Sequence, residues 1–465
     1  MAFTEFYCQS GGDNLNAGST TSNTAAQTYA GGTFVRATGV FTVASGDPSA
    51  DGVTVGDFAS VYTTAGATVA TFVGRVTARS TTTITVSTTA ISGATSTVSE
   101  TAAASTCKVG GAWKGPNGTT KFPFEFALGT MTNSSGDWPR INFKNTADYV
   151  MTGQITHSVA GPCAWQGYTS TVGDGGKAVI DFGTYAGGHK FRWQDGHARQ
   201  LMSDFRIKGT GNQWSMSSQN TEHYNLVLRR VSLDGQSSGG SGYYAESVII
   251  FAECEIYNCA TGFHITNQRS YLYRCIASNN TSNGFYFNAP AFMSQCISSS
   301  NGGDGAQVAT GQVYIVGSDF YDNTGDGLDI SAVTSHTIIE NCNFVKNGGY
   351  GIRGNAGLLL GVQHNCGFGA GTQANTSGTT TGCGSLYESG TVTHTSNSTP
   401  WVDPANGDFR ITLSTAKGAG RGSFSQTESG QAGAVGYPDI GAAQHIDSGG
   451  GGLLTHPGMV GGIRG

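Results

Sequence analysis

The stretch TGDGLDI, residues 324–330, carries two aspartates in a glycine-rich setting, and GGDGA places a third one 22 residues earlier. If the chain coils with that period, the Asp304 and Asp326 carboxylates lie about 5 Å apart, a separation typical of retaining glycoside hydrolases. Repulsion between them would raise the pKa of one, as an acid catalyst requires. Asp304, Asp326 and Asp329 are therefore the candidate catalytic residues.

The same aspartates have two other interpretations. Asp, like Asn, is common at chain corners, and a solvated column of carboxylates costs little, so we favour a scaffold role. TGDGLD also matches one copy of a calcium-binding nonapeptide, but the period here is not nine and the neighbouring turns lack the second Asp. The acid cluster of a lyase and the Gly-x-Ser-x-Gly elbow are both missing from the sequence, so we expect no metal and no cofactor.

Four tyrosines suggest a different chemistry. On an uncharged, polar surface, exposed aromatic rings form stacking platforms for the sugar rings of neutral glycans. The alternatives are a contact between protomers or ordinary surface tyrosines. The candidate glycan-binding residues are Tyr257, Tyr273, Tyr286 and Tyr321.

The elements that must position these residues come from a repeat. CEIYNCATGFHI, CIASNNTSNGFYF, CISSSNGGDGAQV, SDFYDNTGDGLDI and CNFVKNGGYGIRG align, and their shared glycine recurs at steps of 22, 21, 22 and 24 residues. Coils of about 22 residues with short strands and Gly or Asn corners predict a right-handed parallel β-helix, whose turns stack about 4.8 Å apart. The recurring structural residues are Cys254, Cys275, Cys296, Cys342 and Cys366 with Ser318, and Asn280, Asn301, Asn323 and Asn347.

Neighbouring positions of one strand in each repeat form two columns when the repeats are stacked. The column of apolar residues is predicted to face the core, and the column of varied residue types is predicted to face the solvent. We expect the Asn and Gly residues at the corners because both tolerate left-handed backbone conformations. The inner column is Phe263, Phe285, Ala306, Leu328 and Ile352, and the outer one is His264, Tyr286, Gln307, Asp329 and Arg353.

The cysteines show no zinc-binding spacing. Stacked thiols would lie about 4.8 Å apart with parallel Cβ vectors, whereas a disulfide needs Cβ atoms nearer 3.8 Å. We therefore predict free thiols packed as a small apolar ladder.

The flanking sequence divides the chain further. Residues 1–105 are predicted to contain an inserted small β-barrel or sandwich over residues 30–88, followed by the Ser/Thr/Ala-rich linker SGATSTVSETAAAST. Residues 106–177 would form an N-terminal cap with irregular first turns. The β-helix itself would span 178–370, and 371–465 would form a C-terminal cap and a glycine-rich tail. The fold class is thus all-β.

Composition excludes several function classes. A net charge of −6 argues against nucleic-acid binding, and no apolar run reaches the roughly 20 residues of a membrane-spanning helix. The start, MAFTEFYCQSGG, shows no secretion signal. We therefore expect synthesis and folding in a cytoplasm, without membrane insertion.

Several stretches resemble phage and bacterial right-handed parallel β-helix proteins of the pectate-lyase-like superfamily. They are YCQSGGDNLNAGS, AWKGPNG, WQGYTSTVGDGGKAVIDF, and the closing WVDPANGDFRITLSTAKGAG with PDIGAAQH. The superfamily includes lyases, tailspikes, adhesins and capsid-surface fibres, so the resemblance specifies the fold more closely than the function.

The absence of a secretion signal favours the phage branch. The resemblance then implies a virion structural protein, such as a tail spike, fibre or head-surface decoration, assembled in the host cytoplasm as a homotrimer with other virion proteins. Binding of host-surface polysaccharide would be its contact function. The alternatives are a polysaccharide depolymerase, either lyase or hydrolase, that uses the outward carboxylates, and a bacterial surface adhesin.

Overall fold

The structure is a computed structural model. It describes residues 3–63, 72–87, 101–114, 138–157, 163–185, 190–193, 200–210, 216–218, 224–332, 337–354, 361–369, 376–377, 386–389, 392–393, 400–412, 416 and 442. Short gaps fall at 11, 13–15, 18, 23, 36, 237–238, 246–247, 267 and 365. These residues form strands and one short 3₁₀ turn, and they include no helix long and apolar enough to cross a membrane. The all-β prediction is confirmed.

The chain divides into two compact units, Met1–Lys208 with Glu222–Leu226, and Gly209–Thr221 with Val227–Gly465. The first unit contains the predicted small β domain, as a closed antiparallel barrel around a core that includes Phe41, Val61 and Ile84. Its last strand begins at Thr101, within the predicted linker, and pairs antiparallel with the first barrel strand. The barrel strands are Gln27–Val35, Val40–Thr42, Phe58–Thr63, Phe72–Arg79, Thr83–Val86 and Thr101–Val109.

Parallel coils are also present in the first unit. Phe3–Gln9 pairs in parallel with Trp138–Lys144, which pairs in turn with Cys163–Tyr168, so parallel pairing begins before the predicted limit of residue 178. Trp165 packs against Phe143 and Phe191 in the core of these coils. The other strands here are Trp113–Lys114, Tyr149–Val150, Ile155–His157, Ala178–Asp181, Phe191–Trp193 and Gln200–Lys208.

The second unit is the predicted β-helix. Each turn contributes three short strands, and each strand pairs in parallel with its equivalent in the next turn. We call the three resulting piles the first, second and third stack. The first stack contains Val248–Ala252, Ser270–Tyr273, Ala291–Ser294, Val313–Val316, Thr337–Glu340, Gly361–His364 and Leu386–Ser389.

The other two stacks complete each turn, and parallel pairing continues to residue 393, past the predicted limit of 370. The second stack contains Tyr224–Asp234 from residue 227 onward, Glu255–Tyr257, Ile276–Ser278, Ile297–Ser299, Asp319–Tyr321, Asn343–Val345, Gly367–Phe368 and Val392–Thr393. The third stack contains Met216–Ser218, Tyr243–Ala245, Phe263–Ile265, Phe285–Phe287, Ala306–Val308, Leu328–Asp329, Ile352–Arg353 and Thr376–Ser377.

The predicted inner and outer columns are both found in the third stack. The pairing register aligns Phe263, Phe285, Ala306, Leu328 and Ile352, all of them buried. The same register aligns His264, Tyr286, Gln307, Asp329 and Arg353 on the other face. Like residues stack closely inside, as with Phe263 and Phe285, whose ring centroids lie 5.1 Å apart at an interplanar angle of 7°.

A ladder of asparagine amides lies at the corner between the second and third stacks. From the second member onward, each ladder oxygen accepts hydrogen bonds from the backbone N–H and the side-chain amide of the preceding asparagine, at 2.8–3.2 Å. The oxygen of the first member accepts the backbone N–H of Cys259 at 3.1 Å. Because all the members are buried, each bond satisfies a polar group that cannot reach water. The members are Asn280, Asn301, Asn323 and Asn347.

The ladder cysteines lie at the other corner of the turn, between the first and second stacks. All nine cysteines that the structure describes, inside and outside this ladder, are buried and form no disulfide, which agrees with the prediction of packed thiols; Cys383 lies outside the described residues. The backbone N–H of Cys275 donates to the Cys296 sulfur at 3.4 Å, and that of Cys296 donates to the hydroxyl of Ser318, which continues the column.

The left-handed backbone positions differ from those predicted. They are occupied not by the buried asparagines but by the residue before each one, as at Asn279 and Ser300 with φ of 53° and 55°. A second left-handed residue precedes Cys254, Cys275, Cys296 and Cys342, as at Arg274 and Gln295. The recurring glycines have ordinary φ, so a different constraint selects them.

That constraint is close approach between turns. A Cβ on Gly305 would lie 2.6 Å from the Gly327 carbonyl oxygen and 2.8 Å from both the Asn323 amide nitrogen and the Phe320 ring. The equivalent Gly284 and Gly327 meet the carbonyl oxygen of the next glycine in the same way. The glycine column therefore allows the asparagine ladder to pack against the neighbouring backbone.

A hairpin follows the last turn, and we call it, with Ala416 and Ala442, the C-terminal clasp. Its strands are Trp401–Asp403 and Asp408–Ile411, joined by the 3₁₀ turn Pro404–Asn406 and by Gly407 with φ of 81°. Trp401, Phe409 and Ile411 pack on Tyr321 and its column neighbours in the second stack. The predicted C-terminal cap is thus a segment laid over an outer face.

Candidate functional site

The three candidate aspartates come together where the third stack begins, but most of their oxygens are engaged. Asp304 Oδ1 accepts the backbone N–H of Asp326 at 2.7 Å, and Asp326 Oδ1 accepts that of Tyr350 at 2.6 Å. Asn283 begins this column, because its Oδ1 accepts the backbone N–H of Asp304 at 2.9 Å. Each side chain therefore holds the next turn in register, as the scaffold interpretation predicts.

Asp329 belongs to a neighbouring polar network on the outer face of the same stack. Its Oδ1 accepts the backbone N–H of Ser331 at 2.8 Å, and its Oδ2 lies 3.5 Å from the Gln307 amide nitrogen. The Gln307 side chain in turn accepts a hydrogen bond from Asn283. The Arg353 guanidinium lies 3.6 Å from Asp326 Oδ2 and is the exposed member of the cluster.

Exposure was overestimated for two of the three candidates. Asp326 and Asp329 are only 5% and 7% exposed, because the next turn and its loop cover them, whereas Asp304 is half-buried. A sugar ring therefore reaches Asp304 more readily than the other two. The described residues contain no group of three or more His, Cys, Asp or Glu side chains placed to hold a metal ion.

The electrostatics of the cluster favour proton retention. Burial raises the pKa of Asp304 to about 6, and the carboxylates of Asp326 and Asp329 add to the shift, while Arg353 opposes it. Burial likewise raises the pKa of Asp326, against the hydrogen bond from Tyr350 and the charge of Arg353. Asp304 is thus the one carboxyl here with both partial access and an acid-like pKa.

The four candidate tyrosines do not form one platform. Tyr257 lies on the second stack, Tyr273 at the end of a first-stack strand under the Arg274 guanidinium, and Tyr286 on the third stack. Tyr321 is not on an exposed surface, because Trp401 and Phe409 of the C-terminal clasp cover its ring. It is 4% exposed, so the prediction of an open stacking surface was wrong for this residue.

Tyr286 instead continues an aromatic column along the third stack. The His264 ring lies between those of Tyr244 and Tyr286 in edge-to-face contacts, with centroid distances of 5.1 and 4.7 Å. Burial lowers the pKa of His264 to about 4, so its imidazole is neutral in this column at neutral pH. The Tyr286 ring thus packs against His264 and is only partly exposed to solvent.

A different set of residues forms an exposed apolar row on the first stack, which we call the aromatic stripe. Its members share one outward register position in successive turns, and the Phe292 and Tyr314 rings stack at 5.4 Å and 23°. Three of them rank among the exposed large hydrophobic residues, at 36–39% exposure. The stripe consists of Ile250, Tyr271, Phe292, Tyr314 and Ile338.

The stripe has a polar edge. The Tyr314 hydroxyl donates to Glu340 Oε2 at 2.6 Å, which fixes the ring and leaves one carboxylate oxygen beside it. The sequence contained a signal for this row, since SYLY, AFMS, VYIV and TIIE alternate between a buried aliphatic residue and an outward one. Aligning the repeats on their first-stack strands would have revealed it.

Comparison with known proteins supports the fold. Residues 214–398 match the family described as Right handed beta helix region. No curated protein matches the sequence. Pectate lyase Pel9A is similar, with a TM-score of 0.44 and 12% identity over 66% of this chain and 88% of that one. The periplasmic alginate epimerase AlgG has a TM-score of 0.34 and 11% identity over 55% of this chain and 77% of its own. The Azotobacter vinelandii mannuronan C-5 epimerase AlgE6 A-module has a TM-score of 0.34 and 13% identity over 60% of this chain and 96% of its own.

Together, the inter-turn pairing and the family match bear out the fold expected from the repeat and the resemblance. The second unit of this chain contains a right-handed parallel β-helix region.

Proposed function

We propose that the protein is a virion structural protein, a homotrimeric spike, fibre or head-surface decoration, which binds neutral host-surface polysaccharide along the aromatic stripe. The observation that carries the binding function is the row of outward rings at Tyr271, Phe292 and Tyr314, repeated from turn to turn. Sugar rings pack their apolar faces on such rings, and a flexible glycan chain can follow a straight row of them.

The virion assignment has separate support. The closing WVDPANGDFRITLSTAKGAG and the opening YCQSGGDNLNAGS resemble phage β-helix proteins. Nine buried free thiols suit a chain that folds in a reducing compartment, where disulfides are rare. Sedimentation of the purified chain tests the homotrimer, and a monomer at micromolar concentration would contradict that part of the proposal.

Truncating the stripe should weaken polysaccharide binding. We expect Tyr314→Ala to weaken it about 10-fold, because removal of one stacking ring costs about 1.4 kcal/mol. The measurement is biolayer interferometry on an array of neutral and acidic bacterial capsular polysaccharides. Tyr350→Ala, an exposed tyrosine outside the stripe, is the matched control and should bind like the parent protein. Equal loss in both variants, or binding confined to acidic capsules, would overturn the proposed binding surface.

A depolymerase is the second candidate, and one observation favours it. Asp304 is partly accessible, its pKa is about 6, and Asp326 and Arg353 lie beside it. Retaining hydrolysis needs such a proton donor beside a second carboxylate. Against this, Asp326 is buried and hydrogen-bonded to the backbone of Tyr350.

Incubation with the same capsules separates the two functions. We expect no release of reducing ends or unsaturated uronates from any polysaccharide that the protein binds. Release that disappears in both Asp304→Asn and Asp326→Asn, with the fold retained by circular dichroism, would establish the depolymerase instead. Release that persists in both variants would point to a contaminating enzyme and leave the binding proposal intact.

A further inference from the structure

Asp319 is a carboxyl group with no exposed surface, on the outer face of the second stack. Its Oδ1 accepts the Asn343 side-chain amide at 2.9 Å, and its Oδ2 accepts the backbone N–H of Ala442 at 2.9 Å. The Trp401 side chain lies close enough to this carboxyl to lower its pKa. One carboxyl thus joins a β-helix turn to Ala442 of the C-terminal clasp and lies beside Trp401 in the first strand of the clasp.

The remaining contacts of the clasp are apolar. Trp401 lies edge-on to the Tyr321 ring at 5.5 Å and to Phe409 at 5.2 Å, and Ile411 and Ala416 are buried with them. On the β-helix side these residues cover a strip formed by Ile276, Ile297, Tyr321 and Val345. Docking of the clasp therefore removes Asp319 and this strip from water in a single step.

None of the described residues around Asp319 is a buried cation that would balance a carboxylate. From its own strand comes Tyr321, whose hydroxyl and ring face the Lys346 ammonium. From the next turn comes Cys342, a buried thiol with a raised pKa. On the clasp, Arg410 is exposed and pairs with Asp408, and Asp403 is partly exposed beside Asn406.

We propose that Asp319 is a proton-controlled latch, whose protonation holds the C-terminal clasp on the β-helix and whose ionisation loosens it. Loosening would expose the strip around Ile297 and Tyr321 while the ladders inside the β-helix remain intact. Such a device lets the outer surface of an assembled solenoid change without unfolding of its turns.

The direction of the pH dependence follows from linkage. In the docked state, burial raises the Asp319 pKa from 3.8 to about 7, and the hydrogen bonds from Asn343 and Ala442, with the neighbouring Trp401 indole, oppose the shift only in part. In the undocked state the carboxyl faces water and has its ordinary pKa. The docked form therefore binds the proton more tightly, so docking is strongest below pH 4, weakens as the pH rises towards 7, and is constant above it.

Limited trypsin cleavage after Arg410 in the full-length protein, followed by mass spectrometry, measures how often the clasp opens. Asp319→Asn keeps the shape of the protonated acid and cannot ionise. At pH 8.5 we expect the parent protein to be cleaved at least ~10-fold faster than Asp319→Asn, and at pH 4.5, with a protease active there, at equal rates within about 2-fold. Asp322→Asn, at an exposed corner of the β-helix and outside the clasp, is the control and should keep the parent pH dependence.

A second variant tests the latch independently, in case Asp319→Asn does not fold. Asn343→Ala removes a donor that favours the carboxylate, so it should move the midpoint of clasp opening to higher pH. Hydrogen exchange of the segment 400–412, corrected for the intrinsic pH dependence, gives that midpoint. A parent midpoint shared by Asp319→Asn, or no pH dependence of cleavage between pH 4.5 and 8.5, would overturn the latch.

Discussion

Asn301→Ala should lower the free energy of unfolding by about 4 kcal/mol, close to a thousandfold in the folding equilibrium. The Asn301 oxygen accepts two hydrogen bonds from Asn280, and its amide donates towards the Ala277 carbonyl, the Ser298 hydroxyl and the oxygen of Asn323. Alanine leaves several of these buried groups unpaired in a place that water cannot enter. Each such group costs about 1–3 kcal/mol.

Denaturant unfolding followed by circular dichroism measures this loss. Asn288→Ala is the matched control, because Asn288 is an exposed asparagine whose side-chain oxygen accepts the Thr310 hydroxyl at the surface of the β-helix. We expect the control to change stability by less than about 0.5 kcal/mol. Similar losses in the two variants would mean that the ladder contributes no more than an exposed side-chain bond.

Gly305→Ala is the second change with a large expected effect, about 3 kcal/mol of destabilisation. The added methyl group would meet the carbonyl oxygen of Gly327 and the ring of Phe320, both held by the next turn. Neither can move away without breaking the pairing of the third stack. The unfolding midpoint reports the loss, and hydrogen exchange should rise first in residues 305–328.

Ser282→Ala tests whether any change at this corner has the same result. Ser282 is exposed, so its replacement should alter stability by less than about 0.5 kcal/mol. An unchanged midpoint in Gly305→Ala would show that the turns have room between them, and the close-approach explanation of the glycine column would be wrong.

The fold of the second unit was predictable because its signal is periodic. Steps of 21–24 residues in the glycine column from Gly262 to Gly351 set the turn length, and the pleat then assigned Phe285 inward and Tyr286 outward. A one-residue error would have exposed every inner side chain, so the register has a single solution. Because the coil is repeated, several residues of the sequence indicated the same structural position.

Other features depend on contacts that a repeat cannot encode. Tyr321 occupies an outward position like its column neighbours, but Trp401, far along the chain, covers it. Some left-handed positions, such as Glu253, Arg274 and Gln295, are filled by residue types that carry no preference for that conformation, although others are filled by asparagine. The hydrogen bonds that Asp304 and Asp326 accept from backbone N–H groups of the next turn also follow only from the stacking geometry.

The thiols buried along the β-helix corner have a consequence for handling the protein. Burial raises the pKa of Cys275 and Cys342 far above the ordinary thiol value, so the reactive thiolate is scarce in the native state. The native protein should therefore tolerate air and oxidants without added reductant. Once denatured, the same cysteines become a crosslinking hazard, and refolding in air should yield mixed disulfides and aggregates.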